Sequence, residues 1–255
     1  MASGRLEAQI TVPSGGWAST LAITGGAGGP YTVTIAAGTY YPTAFLSTLA
    51  TALNAAAVGD GTFTVSASTS DGAGTGQVTI AHTVETFPLT PPAAMLELLG
   101  FASALTPAAL TFTGTSCMAG LWLPDCPQDS AYGADPGHYE IDASRSVTPG
   151  GQVYALAYGR RRLLPSVRWS HVTRARSRVA GEAVPGQSFE AWFLATHGGT
   201  RSYFIGAPPV RVYADAADAS PYATLYLTRP DATAMDRPAA PWHGLYSVEI
   251  AGYAQ

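Results

Sequence analysis

Near the start of the chain, apolar residues with a single serine among them recur at every second position in three successive stretches: Leu6-Ala8-Ile10-Val12, Trp17-Ser19-Leu21-Ile23 and Tyr31-Val33-Ile35. A period of two puts one set of side chains on one face of an extended strand. This part of the chain must therefore build sheets with a buried side, joined here by the turn Gly25–Pro30. The period then changes. Pro42 opens a helix at a position where its missing N–H is no loss, and Phe45, Leu49, Ala52, Leu53 and Ala56 follow at helical spacing until Gly59-Asp60-Gly61 ends it. Phe63-Val65-Ala67 and Val78-Ile80 flank the glycine-rich Asp71–Gly76 as a hairpin, and Pro91-Pro92 opens a short second helix, Ala93–Leu99, stopped by Gly100.

These elements make residues 1–101 a small α+β domain. Residues 102–151 hold Pro107, Pro124, Pro127, Pro136 and Pro149, and read as an interdomain region with a strand at Leu110–Thr113, since Trp122, Tyr132 and Tyr139 need a surface to pack on. Residues 152–255 return to strands: Val153–Tyr158, Val167–Val179, Tyr203–Ile205, Val210–Tyr213, Ala223–Thr228 and Leu245–Ala251, with a short helix over Gly186–Ala195. That order predicts a β-sandwich or barrel with one flanking helix, and for the whole chain a mainly β fold with α+β elements. A length of 255 residues suits two such units.

Charge narrows the functional classes. Hydrophobic residues make up 47% of the chain and charged residues only 12%, against roughly 25% in soluble proteins. So sparse a surface charge argues against a freely circulating monomer and for a surface that neighbouring subunits cover. The net charge of −4 implies no global binding of polyanions. Residues 1–140 hold one base and nine acids, a balance of −8, whereas residues 141–255 hold twelve bases and eight acids, a balance of +4. All 13 bases are arginine. Cys117 and Cys126 lie outside any CxxC spacing and are expected to be free thiols in a reducing cytosol. No apolar run approaches the ~20 residues of a membrane span, and the N-terminus lacks a signal pattern, so a soluble protein folded where it is made is expected.

Catalytic patterns are missing. There is no GxSxG or HExxH, and His82, His138, His171, His197 and His243 are scattered singly. The glycine runs Gly25–Gly29 and Gly72–Gly76 carry no GKS or GKT and read as hairpin turns. Asp215 and Asp218 read as a solvated loop rather than calcium ligands or glycosidase acids. The expectation is a non-enzymatic protein with no catalytic residue, cofactor or metal.

One cluster rises above this background. Arg160, Arg161, Arg162, Arg168, Arg174, Arg176 and Arg178 occur with no acid between them. On a continuous strand the last four share a face, opposite Val167, Trp169 and Ala175. Such a stripe suits pairing with acids of a neighbouring subunit, and these seven arginines are the candidate subunit interface. Contact with nucleic-acid phosphates is the weaker alternative.

The first domain resembles structural proteins of tailed bacteriophages. The resemblance is carried by a strand ending in an Ala-Gly-Thr-Tyr turn (Ile35–Tyr40), the helix Phe45–Ala57, the Thr-rich hairpin Phe63–Ile80 and the closing Leu98-Leu99-Gly100-Phe101. The second domain resembles, in its order of elements, the β-barrel-plus-helix module of tail-tube and distal-tail proteins. The resemblance implies a virion component of the tail or tail tip, made and assembled in the host bacterial cytoplasm, forming a homo-oligomeric ring, trimeric or hexameric, with other tail proteins as partners and no membrane span. It carries no site residue. The alternatives are a head decoration or connector protein, or an adhesin-like, carbohydrate-binding β-protein whose Trp17, Tyr40, Tyr41 and Trp242 would stack on sugars.

Overall fold

The structure, a computed structural model, describes residues 4–24, 29–56, 61–70, 72–126, 141–147, 153–160, 166–197, 209–213, 217–221, 223–227, 233–236 and 245–254. In chain order the strands are β1 (Arg5–Ala8), β2 (Ile10–Val12), β3 (Trp17–Leu21), β4 (Tyr31–Ile35), β5 (Gly38–Tyr40), β6 (Phe63–Ala67), β7 (Gln77–His82), β8 (Phe87–Thr90), β9 (Leu105–Ala109), β10 (Thr111–Cys117), β11 (Leu121–Trp122), β12 (Ile141–Val147), β13 (Val153–Arg160), β14 (Ser166–Thr173), β15 (Val210–Tyr213), β16 (Ala223–Leu227), β17 (Thr233–Asp236) and β18 (Leu245–Ala254). The helices are α1 (Pro42–Ala56), α2 (Ala93–Leu99), α3 (Arg174–Ser177) and α4 (Phe189–His197). The fold is mainly β with flanking helices, as expected.

Two buried clusters organise it. The first gathers a four-stranded sheet β4-β3-β8-β9, a three-stranded sheet β10-β7-β6 and the pair β2-β5. Over them lies α1, whose buried Phe45, Leu46, Leu49 and Leu53 recur every three or four residues, so one stripe of the helix meets the core. Met95 and Leu99 of α2 join this core, and α2 ends at Gly100 with φ of 77°, where a Cβ would run into the Ser116 carbonyl. The second cluster lies on the antiparallel sheet β11-β1-β15-β16-β18-β14, with β17 also pairing β18. It is aromatic: Trp122 meets Trp169 and Phe189 edge-on, each at 5.1 Å, and α4 adds Trp192 and Phe193. Both buried indoles are satisfied by backbone carbonyls, Trp122 Nε1 donating to Arg176 O and Trp192 Nε1 to Gly120 O, each at 3.0 Å.

The clusters do not divide the chain at residues 102–151. β1 belongs to the second sheet, paired with β11 on one side and β15 on the other. Leu105 through Cys117, expected to lie between domains, instead form β9 and β10 and complete the sheets of the first core. The stretch from Ile10 to Met118 is thus set between two neighbouring strands of the second sheet, β1 and β11. The single alternating strand expected over Leu6–Val12 is two: Leu6 and Ala8 enter the second core, Ile10 and Val12 the first. The expected strand over Val153–Tyr158 is present as β13, but it pairs β12 in a hairpin of its own. Tyr203–Ile205 lies outside the described residues.

Candidate functional site at the junction of the two cores

β1 is buried at all four positions because it is paired on both edges and covered on both faces. Leu6 and Ala8 point into the second core, so by alternation Arg5 and Glu7 point the other way, toward the first unit. Burial there demands that the charges be paired. Arg5 Nε donates to Glu7 Oε1 at 3.0 Å, with the two side chains 5% and 0% exposed. The other carboxylate oxygen, Oε2, accepts from Thr43 Oγ1 of α1 at 3.0 Å and from the Tyr213 hydroxyl of β15 at 3.3 Å. The Arg5 guanidinium lies 3.8 Å from the centre of the Tyr213 ring and donates through Nη2 to the Asp218 carbonyl at 2.7 Å. Beside it, Arg211 stacks on Tyr41 at 3.7 Å, and Gln9 Nε2 donates to the Tyr41 hydroxyl at 3.3 Å. The cluster ties the first unit, through Tyr41 and Thr43, to the second, through Tyr213 and Arg211. With both oxygens accepting, Glu7 acts as a structural anion rather than a free base.

Next to this cluster opens a groove of about 500 Å³, walled by α1 through Thr43, Leu46, Ser47 and Ala50 and by strand β6, and lined also by Arg5. Among the described residues Arg5 is the only charged one that lines it. The neutrality reflects the sequence around it: from Ala8 to Pro124 the charged residues are Asp60, Asp71, Glu85 and Glu97 alone, with no base among them.

The arginines do not form a stripe. β14 ends at Thr173, whose N–H and hydroxyl bond the Asp125 carboxylate, and the chain then turns into α3, so the parity argument fails beyond that point. Arg168 is exposed and stands opposite Glu249 in the β14–β18 ladder; Arg174 is exposed on α3. Arg176 is buried instead, and its guanidinium donates to the Gly74 carbonyl of the first unit. Burial lowers its pKa, opposed by Asp125 and Cys117. Arg178 lies 3.7 Å from Glu190 and over the Tyr246 ring. Arg160 ends β13, and the side chains of Arg160, Arg161 and Arg162 lie outside the described residues.

Other candidates fall into packing roles. Trp17 is buried against Phe45, Tyr40 meets Phe45 edge-on while its hydroxyl donates to Ala36 O, and Tyr41 lies under Arg211. Trp242 and Asp215 lie outside the described residues, and Asp218 is exposed. His82 is buried against Phe63, with Nδ1 accepting from the Glu85 N–H at 2.9 Å; His171 is exposed, and the side chains of His138, His197 and His243 are not among those described. Cys117 and Cys126 are free and buried. Burial pushes the Cys117 thiol up to about 12, against Arg176, which lowers it, so at neutral pH it is protonated and unreactive. Among the described residues no three His, Cys, Asp or Glu side chains gather as a metal would need, and no helix is long and apolar enough to cross a membrane.

No protein family, curated protein or solved structure matches the chain in comparison. The junction cluster itself was missed in the sequence. Its signal is Arg5 and Glu7, two opposite charges of one parity on a short strand, followed by a long uncharged stretch.

Proposed function

We propose that this chain is a non-enzymatic structural subunit of a tailed-bacteriophage particle, placed in the tail or tail tip, and that it joins copies of itself and neighbouring virion proteins. The supporting observation is the charge distribution of the first unit: over Ala8–Pro124 four acids and no base serve a surface that carries many exposed Thr, Ser and Ala. A face that neutral gains little from staying in water and loses little when another neutral face covers it. The junction cluster supports the same reading, because Arg5, Glu7, Thr43 and Tyr213 satisfy one another and hold two units together. An axial particle repeats its subunits around the axis, and closed rings use heterologous interfaces, so a trimeric or hexameric ring is the expected form.

Light scattering on the purified protein, with mass spectrometry of purified particles, tests this. A ring-sized mass and presence in particles are expected. A strict monomer at high concentration that is also absent from particles overturns it.

A further inference from the structure

Strand β6 is the outer strand of the β10-β7-β6 sheet. Its ladder with β7 pairs Thr64 with Ala81 and Ser66 with Thr79, and the flanking bonds from Thr83 N to Thr62 O and from Ser68 N to Gln77 O fix the phase. Even-numbered residues of β6 therefore turn their N–H and C=O toward β7, and odd-numbered residues turn theirs away. Asn54 of α1 confirms the direction. Its Nδ2 donates to Phe63 O at 3.0 Å and its Oδ1 accepts from Phe63 N at 2.7 Å, so one side-chain amide pairs both backbone groups of Phe63 as a neighbouring strand would.

Val65 and Ala67 point the same way and have no such substitute among the described residues. Their N–H and C=O groups open into the groove between α1 and β6. Beyond the Asn54 cap at Phe63, β6 itself carries no proline, no charge and no bulge, three of the usual defences of an exposed strand.

We infer that the groove between α1 and β6 accepts an uncharged, extended segment of a partner protein, which adds to the sheet as a strand on Val65 and Ala67. Exchange with those two residues makes up to four backbone hydrogen bonds, and Asn54 closes the register at Phe63. The occupant is uncharged because the walls are. Apart from Arg5, already paired with Glu7, they offer Thr, Ser, Ala and apolar residues, and a charged side chain would lose water with no counter-charge to meet it. A second copy's β6 does not fit. A strand needs about 4.8 Å of lateral space and a helix about 10 Å, so two β6 edges, each flanked by its own α1, cannot close on one another. A free extended segment can.

The inference stands on the strand edge and not on the particle reading; a chain shown to be monomeric and absent from particles would still carry the groove. The test titrates the capped peptide acetyl-Thr-Val-Thr-Val-Ser-amide into the full chain and follows the backbone amides of Val65 and Ala67 by NMR. At submillimolar to millimolar peptide these two amides should shift and become protected from exchange. Acetyl-Lys-Val-Glu-Val-Lys-amide should bind about tenfold more weakly or worse. The variant Val65→Pro removes an N–H that β7 does not use, so it should keep the ladder and lose the peptide. N-methylation of both peptide valines tests the same bonds on the unaltered protein. Unmoved Val65 and Ala67 amides at millimolar neutral peptide, or binding that survives N-methylation, overturn the inference. Equal binding of the charged peptide overturns its chemistry, and the same shifts on concentrating the protein alone overturn its occupant in favour of a second copy.

Discussion

The two cores are built from similar amounts of strand in opposite ways. The first comes from the stretch Ile10 to Leu123 apart from Trp122, and half of its six strand pairings join near neighbours in sequence: β3 with β4, β6 with β7, β8 with β9. The second is assembled from distant pieces, Leu6 and Ala8, then Trp122 and Cys126, then residues from Val167 to Ile250. A local core can form from hairpins as they are made, whereas the second must bring Arg5 beside Tyr213 before β1, an interior strand of its sheet, is in place. Three buried tryptophans, Trp122, Trp169 and Trp192, lie in the second core against Trp17 in the first, and the buried ion pair lies at the second core's edge. The more non-local core leans on the stronger individual contacts.

Separating the cores should expose the asymmetry most sharply. A fragment of residues 10–118 holds every strand of the first sheets and is expected to melt cooperatively on its own. Residues 119–255 lack β1, which pairs with both β11 and β15. That fragment should show no native tryptophan environment in near-ultraviolet circular dichroism until a peptide spanning residues 4–9 is added. Native spectra from 119–255 alone would show that the sheet forms without the strand that links β11 to β15.

The next effect lies at the join. Glu7→Gln leaves the buried Arg5 without its counter-charge and should cost about 3–5 kcal/mol, read as a lower urea midpoint at unchanged slope. The pair Arg5→Met with Glu7→Leu removes both charges and should recover much of that loss, since burying two apolar chains carries no desolvation of ions. If Glu7→Gln alone is harmless, Thr43 and Tyr213 hold the cores together without the ion pair.

How legible the two cores are in the sequence follows from the same contrast. The helix opening at Pro42, the hairpin over β6 and β7, and the stop at Gly100 are local events, and local periodicity reports them. Alternation says which side chains share a face but not which sheet the face meets. Leu6 and Ile10 have the same parity, yet Ile10 lies in the first core and Leu6 in the second. Arg176 shows the limit more plainly: its partner, the Gly74 carbonyl, lies 102 positions away, and no pattern within a window of the chain contains it. The candidate site fails for the same reason. Glu7 meets Thr43 across 36 positions and Tyr213 across 206. On the edge strand beside them, Asn54 pairs the backbone of Phe63, which nothing in either residue type announces.

The smallest expected effects come from arginines that look alike in the sequence and stand in different places. Arg178 and Glu190 are 34% and 32% exposed and 3.7 Å apart, so solvent screens most of their attraction. Arg178→Gln should cost no more than about 1 kcal/mol, and less as salt rises. Arg168 and Arg174 are exposed on different elements, a strand and a short helix, and the double variant Arg168→Gln with Arg174→Gln should lower the stability by no more than about 1 kcal/mol, since solvent screens exposed pairings. Assembly, read by light scattering on the same samples, separates the remaining possibilities. If the double variant folds as well as the parent but no longer forms the larger species, these two arginines face acids of a neighbouring subunit although they share no stripe within one chain. If assembly is untouched, the contacts between subunits lie on the uncharged surface of the first unit, and the second core's basic balance belongs to its own internal pairings.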